Sequence, residues 1–232
     1  MQTYYVSTHI RHCDVDEGAV VLNLRTEKYI AVPRPARDAL DRISRGVPLD
    51  AKENPATSAA MDALLGAGFI TTTREESPLP RLSQPRPTES LFETLHGTAC
   101  PPLKWADVAA FLAAYAGATH RLKQLPFDQV LWSMYARKSA TAASARSGDR
   151  DYIRHLLNAF RWQRLWTYTG IDRCLLDSLV LIDFLRRFGV VAMLVLGVQS
   201  KPFGAHAWVQ WQDKILNDTL EKVSRYASIL VL

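Results

Sequence analysis

Cysteine is scarce in this chain. Cys13, Cys100 and Cys174 stand at unrelated spacings among 232 residues, and so odd a set excludes a disulfide framework and a paired zinc motif. Long apolar runs are missing as well. No stretch is long enough to cross a bilayer, and the opening MQTYYVSTHIRHCD lacks the apolar core of a secretory signal, so the expectation is a cytoplasmic protein with no membrane partner. Blocks of like charge are also absent. The formal charge is +5, but 28 basic residues are scattered among 23 acidic ones, which gives nucleic acid no basic stripe to follow. What remains is ordinary globular composition, 48% hydrophobic and 22% charged, enough for one large domain or two modest ones.

The chain changes character near residue 75. Before it, THIRHCDV (8 to 15), AVVLNL (19 to 24) and KYIAV (28 to 32) alternate or run apolar between turn segments, which predicts a small antiparallel meander. Pro33 and Pro35 then open ARDALDRISRG, where Ala36, Leu40 and Ile43 fall at helical spacing and Gly46 supplies the stop. A second helix fits PATSAAMDALLGAG, with Met61, Leu64 and Leu65 on one face, and FITTT follows as a short strand. Prolines crowd residues 76 to 104, which read as a linker. HGTAC within it, and His9, His12 and Cys13 earlier, lack a second pair at finger-like spacing, so no metal site is expected.

From Trp105 the pattern is helical, through WADVAAFLAAYAGATHRLKQL, FDQVLWSMYARKS and DRDYIRHLLNAFRWQRLWTY. In the last of these Tyr152, Leu156, Leu157, Phe160 and Leu165 suggest the buried face. Between the last two, SATAASARSGDRD (Ser139 to Asp151) reads as a polar loop, either a flap or a plain connection. TGIDRCLLDSLVLIDFLRRFG is different. Asp172 is placed to cap it, Cys174 falls in the first turn, and Leu175, Leu179, Ile182, Leu185 and Phe188 lead to a stop at Gly189. A thiol there meets unpaired backbone N–H groups and the positive end of the helix dipole, and both favour thiolate. The plainer reading makes Cys174 a small buried hydrophobe.

Three strand-like runs follow: VVAMLVLGVQ, AHAWVQW and KILND. A lone His206 would pass for a structural histidine. With Cys174 on a helix start and Asp218 after the last strand, it becomes one member of a possible triad, in which a carboxylate holds one imidazole nitrogen while the other takes the thiol proton. A three-residue loop, Trp211 to Asp213, would set His206 and Asp218 on one face, and a two-residue loop would set them on opposite faces. Asp177, Asp183 and Asp213 are competing acids.

The order of strands and helices over residues 4 to 73, with YIAV leading into a helix, resembles the PqqD-like fold, a winged helix-turn-helix. That family recognises the leader of a ribosomally made precursor peptide. Carried over, the resemblance places the leader on the edge formed by Tyr29, Ile30, Ala31 and Val32, by strand addition, beside a groove walled by Met61, Leu64 and Leu65. DNA readout is disfavoured, since SAAMDALL carries no Arg, Lys, Asn or Gln. Residues 105 to 232, through CLLDSLVLIDFLRRFG, LVLGVQ, PFGAHAWVQW and ILND, resemble the transglutaminase-like, papain-related superfamily, and among it the leader peptidases of lasso-peptide biosynthesis.

The implied fold is α+β: a winged helix-turn-helix at 1–75, a linker at 76–104, and a transglutaminase-like domain at 105–232 with a helical part and an antiparallel sheet. The implied roles are nucleophile for Cys174, general base and acid for His206, and orienting acid for Asp218, with no cofactor. Gln210 departs from the Glu that family often has. The implied partners are a lasso precursor and a macrolactam synthetase that uses ATP. Acyl transfer with the same triad, and a silent peptide-binding scaffold, are the other readings.

Overall fold

Side-chain alternation in the first three paired strands sets how the N-terminal part packs. The computed structural model describes residues 3–47, 55–76, 79–80, 82–142, 149–168 and 173–232. After the short β1 (Tyr5–Val6), strands β2 (Ile10–Val15), β3 (Gly18–Asn23) and β4 (Lys28–Pro33) form an antiparallel meander in that order. Its register sets His12, Val21 and Ile30 on one face and Cys13, Val20 and Ala31 on the other.

The first face packs on α1 (Arg34–Ser44) and α2 (Pro55–Gly66). Ile10 and Val21 join Ala39, Leu40, Met61 and Leu64 in one apolar cluster. Both helices start at or beside a proline, which fits the first turn because the N–H it lacks would be unpaired there anyway. Gly46, with φ of 69°, ends α1 as expected. The second face is equally dry. Val20 and Leu22 belong to the main core with Leu131, Leu179 and Leu196, so β3 is apolar and buried from Gly18 to Leu22 because it is covered on both sides. β5 (Ile70–Thr71), the short strand in FITTT, pairs with β1.

The proline-rich stretch is more than a tether. Leu79, Leu91 and Leu95 are buried in the main core, and β6 (Glu89–Ser90) adds to the C-terminal sheet. Prolines bar a helix here, but they leave the intervening leucines free to bury.

Three helices, α3 (Trp105–Gln124), α4 (Phe127–Ala142) and α5 (Arg150–Leu165), stand where their periodicity puts them. The buried stripe of α5 is Ile153, Leu156, Leu157 and Phe160; Tyr152 and Leu165 lie off it and are exposed. Of the expected loop, residues 139–142 instead continue α4 and residues 150–151 open α5, while residues 143–148 lie outside the described ones. Central α6 (Cys174–Arg187) packs across β7 (Met193–Gln199) and β8 (Gly204–Trp211). It ends at Gly189, where φ is 78° and the Val190 N–H donates back to the Leu185 carbonyl.

β9 (Lys214–Ile215), the one-turn α7 (Leu220–Val223) and β10 (Ala227–Val231) complete a mixed sheet of order β10-β7-β8-β9-β6, antiparallel except at β6. No described helix is long and apolar enough to cross a membrane.

Candidate active site

Cys174 is the first residue of α6, so its own N–H leaves the helix end instead of joining the helical ladder. Asp172, the expected cap, lies outside the described residues. His206 comes from β8 and is buried, its ring packed against Trp208 and Tyr226 at centroid separations of 6.2 and 5.2 Å. Its Nε2 lies 2.6 Å from Asp218 Oδ2, and it lines one small cavity together with Cys174.

Strand register does not by itself bring Asp218 to His206. The β8–β9 turn has two residues, Gln212 and Asp213, with Gln212 at φ of 54° and Trp211 opposite Lys214. Continued strand pairing would then send His206 and Asp218 to opposite faces. Registered pairing ends at Ile215, with one further bond from the Leu216 N–H to the Val209 carbonyl at 2.9 Å. Asn217 then leaves the strand path, its Oδ1 accepting from the Val209 N–H at 2.8 Å and its Nδ2 donating to Asp177 at 3.0 Å and Ser178 at 3.1 Å. That bend brings Asp218 to the imidazole.

The carboxylate is held from several sides. Lys222 Nζ donates to Asp218 Oδ2 at 3.0 Å, the Thr219 N–H to Oδ1 at 2.8 Å, and Ser90 Oγ to the Asp218 carbonyl at 2.6 Å. The competing acids are occupied elsewhere. Asp177 is bound by Arg164, Tyr168 and Asn217, and Asp183 is buried against Arg121, with Arg137 and Arg186 nearby. Asp213 sits in the turn, where hydrogen bonds from Thr88 and Lys214 hold it down at about 2.

Electrostatics sort the thiols. Burial raises the Cys174 pKa, but hydrogen bonds from His206 and from the Ala207 and Leu175 N–H groups outweigh it and leave the pKa below the ordinary value. Burial likewise lowers that of His206, and its bonds to Asp218 and Cys174 more than reverse this. For Asp218 burial raises the pKa, while His206, Lys222 and the Thr219 N–H bring it below normal. Cys13, by contrast, is pushed by burial up to about 12. A cysteine kept protonated by burial is a poor nucleophile.

The residues expected to bind a leader divide. Tyr29 lines a cavity of about 150 Å³ at Cys174 and His206, together with Leu22 and Glu27. Ala31 and Val32 line a neighbouring groove of about 510 Å³, closed on its other side by Lys201 and Phe203 and sharing Tyr29 with the first. Ile30 is partly exposed on the helix side of the meander. Met61 and Leu64 are each only 2% exposed, and Leu65 is half-buried against the same cluster. The expected groove wall is therefore core at Met61 and Leu64, because α2 turns that face onto Ile10 and Val21.

Several site residues had no sequence signal strong enough to find them. Asn217, Ser90 and Lys222 are polar residues of a common kind. Gly197 stands opposite His206, and a β-carbon there would lie 2.7 Å from the Trp208 ring and 2.8 Å from Tyr226. Gly197→Ala is therefore expected to lower stability by about 1–3 kcal/mol through overpacking, measured as a reduced urea midpoint at unchanged slope; an unchanged midpoint would mean the rings adjust freely. Gln210 is fully buried, its Nε2 donating to the Pro85 and Gln212 carbonyls at 2.7 Å each. Two carbonyl acceptors need a donor, so the amide suits this position where a carboxylate would repel both.

Among the described residues no three His, Cys, Asp or Glu side chains cluster as a metal site. No curated protein and no solved structure matches the chain. Residues 121–231 match the model of the Transglutaminase-like superfamily, consistent with cysteine peptidase or acyltransferase chemistry, and the chain thus carries a transglutaminase-like superfamily domain in its C-terminal part.

Proposed function

We propose that the protein is a cysteine endopeptidase that removes the leader of a lasso-type precursor, with a PqqD-like N-terminal module holding that leader. The carrying observation is the Cys174–His206–Asp218 arrangement: a thiol at a helix start, sharing one cavity with an imidazole whose Nε2 is 2.6 Å from a carboxylate. In the mechanism this supports, the Cys174 thiolate attacks the scissile carbonyl carbon while its own N–H stabilises the oxyanion. The His206 imidazolium then protonates the leaving amine, and the thioester is hydrolysed by water that His206 deprotonates. The freed amine is what a partner macrolactam synthetase would join to an acidic side chain using ATP.

Leader recognition is supported by the position of β4, which pairs with β3 and with no other described strand. An added strand has a direction to satisfy. Tyr29, near the N-terminal end of β4, is the β4 residue that lines the Cys174 cavity, so a leader delivering its C-terminal end there runs antiparallel to β4. Docking the leader raises the local concentration of the scissile bond at the thiol, which lets weak contacts near the bond suffice.

The test is mass spectrometry of a lasso-type precursor incubated with the protein and with Cys174→Ala, each alone and with the partner synthetase and ATP. Cleavage at one bond by the wild type and none by the variant is the expected outcome. A wild type inactive in both conditions would favour the binding-scaffold reading, and an amide product in place of the acid would favour acyl transfer.

A further inference from the structure

The cavity at Cys174 is built from two distant parts of the chain. Leu175 comes from α6, Phe127 from the start of α4, and Leu196, Ala205 and Ala207 from β7 and β8; Leu22, Glu27 and Tyr29 come from the N-terminal meander. Leu22 and Tyr29 face each other across β3 and β4 in the sheet register, so they form a braced wall. The Tyr29 ring is further held by Phe203, at a centroid separation of 5.9 Å. Glu27 is the one carboxylate in an otherwise apolar lining beyond the catalytic pair.

We propose that this cavity is a subsite for one apolar side chain, up to the size of a six-membered ring, carried by a substrate residue on the leader side of the scissile bond. The N-terminal meander sets its size. This rests on the peptidase reading above. An apolar cavity of about 150 Å³ accommodates a benzene ring, and this one opens at the reactive thiol. The leader side is chosen because the 510 Å³ groove along β4 meets the cavity at Tyr29. A chain arriving along that groove reaches the subsite before its scissile carbonyl reaches Cys174. The matched domain at residues 121–231 lacks Leu22 and Tyr29, so the same module would hold the leader and shape the pocket beside the bond.

The experiment compares alkylation of Cys174 in the full chain by iodoacetamide and by N-benzyliodoacetamide, read site by site by mass spectrometry. Each rate is normalised to that of glutathione with the same reagent. The wild type is expected to favour the benzyl reagent by about tenfold or more, the scale on which removing a ring from water changes a rate. Tyr29→Ala, which removes the wall, and Ala205→Leu, which fills the cavity from an exposed position, should each bring the ratio back toward one.

A ratio near one in the wild type overturns the subsite, as does a high ratio that survives both variants. If Cys174 reacts with iodoacetamide no faster than Cys13 and Cys100, the nucleophile assignment fails instead. The two failures are thus distinguishable.

Discussion

Asp218→Asn is expected to slow leader cleavage by about 10²–10⁴-fold while the protein stays folded. The carboxylate accepts from His206 Nε2 at 2.6 Å, which keeps the opposite ring nitrogen facing the thiol and stabilises the imidazolium formed when the thiol ionises. An asparagine of the same shape carries no charge to stabilise that cation. It also has an NH₂ that can turn toward Nε2 and donate, leaving the proton on the nitrogen that must accept from Cys174. The thiolate is then lost by tautomer and by charge together.

Asp213→Asn is the control. Asp213 lies in the β8–β9 turn and is engaged with Thr88 and Lys214, so cleavage should stay near the wild-type rate. Single-turnover cleavage followed by mass spectrometry measures both. Wild-type cleavage by Asp218→Asn would remove Asp218 from the triad, and loss in Asp213→Asn alone would point to the turn.

How the acid reaches the imidazole shows where sequence reasoning ends. The residue types and their elements were legible: Cys174 at a helix start, His206 early in a strand, Asp218 just past the next one. Strand alternation alone could not join them, since the two-residue turn at Gln212 and Asp213 predicts opposite faces. The join depends on where pairing stops, and Asn217 decides that through bonds to α6 and β8. Such bonds have no periodicity.

The same limit applies to the meander. Alternation located β2, β3 and β4 to within two residues at each end, but not that their second face would close against the main core. Val20 and Leu22 read as ordinary strand residues until α4, α6 and β7 are seen against them. Strand β10, at the edge beside β7, is not legible in the sequence, because RYASILVL follows a one-turn helix with no clear turn signal. The leucines of 76–104 were hidden by prolines, which speak to backbone conformation and not to burial.

The pH dependence of Cys174 alkylation should separate the catalytic pair from a merely exposed thiol. In the wild type the iodoacetamide rate is expected to rise with pH through a midpoint below that of an ordinary cysteine, because hydrogen bonds from His206, Ala207 and Leu175 outweigh the burial that works against ionisation. In His206→Ala the strongest of those bonds is gone and burial remains, so the midpoint moves up. For each pH unit of that rise the thiolate fraction at pH 6 falls about tenfold. The more basic thiolate is the better nucleophile, with a Brønsted slope near 0.4–0.5, so the rate itself falls about three- to fourfold per unit.

Cleavage adds a second limb. His206 has a raised pKa, and it must hold a proton to release the amine. Activity should therefore fall again as pH rises through the upper of two apparent values belonging to the Cys174–His206 pair jointly. An alkylation midpoint unchanged by His206→Ala would show that the imidazole does not hold the thiol, and the triad would reduce to a histidine and an aspartate beside an unrelated cysteine. A midpoint that rises, together with a two-limbed cleavage profile, is the signature of one proton shared by sulfur and imidazole, the state from which attack and amine release both proceed.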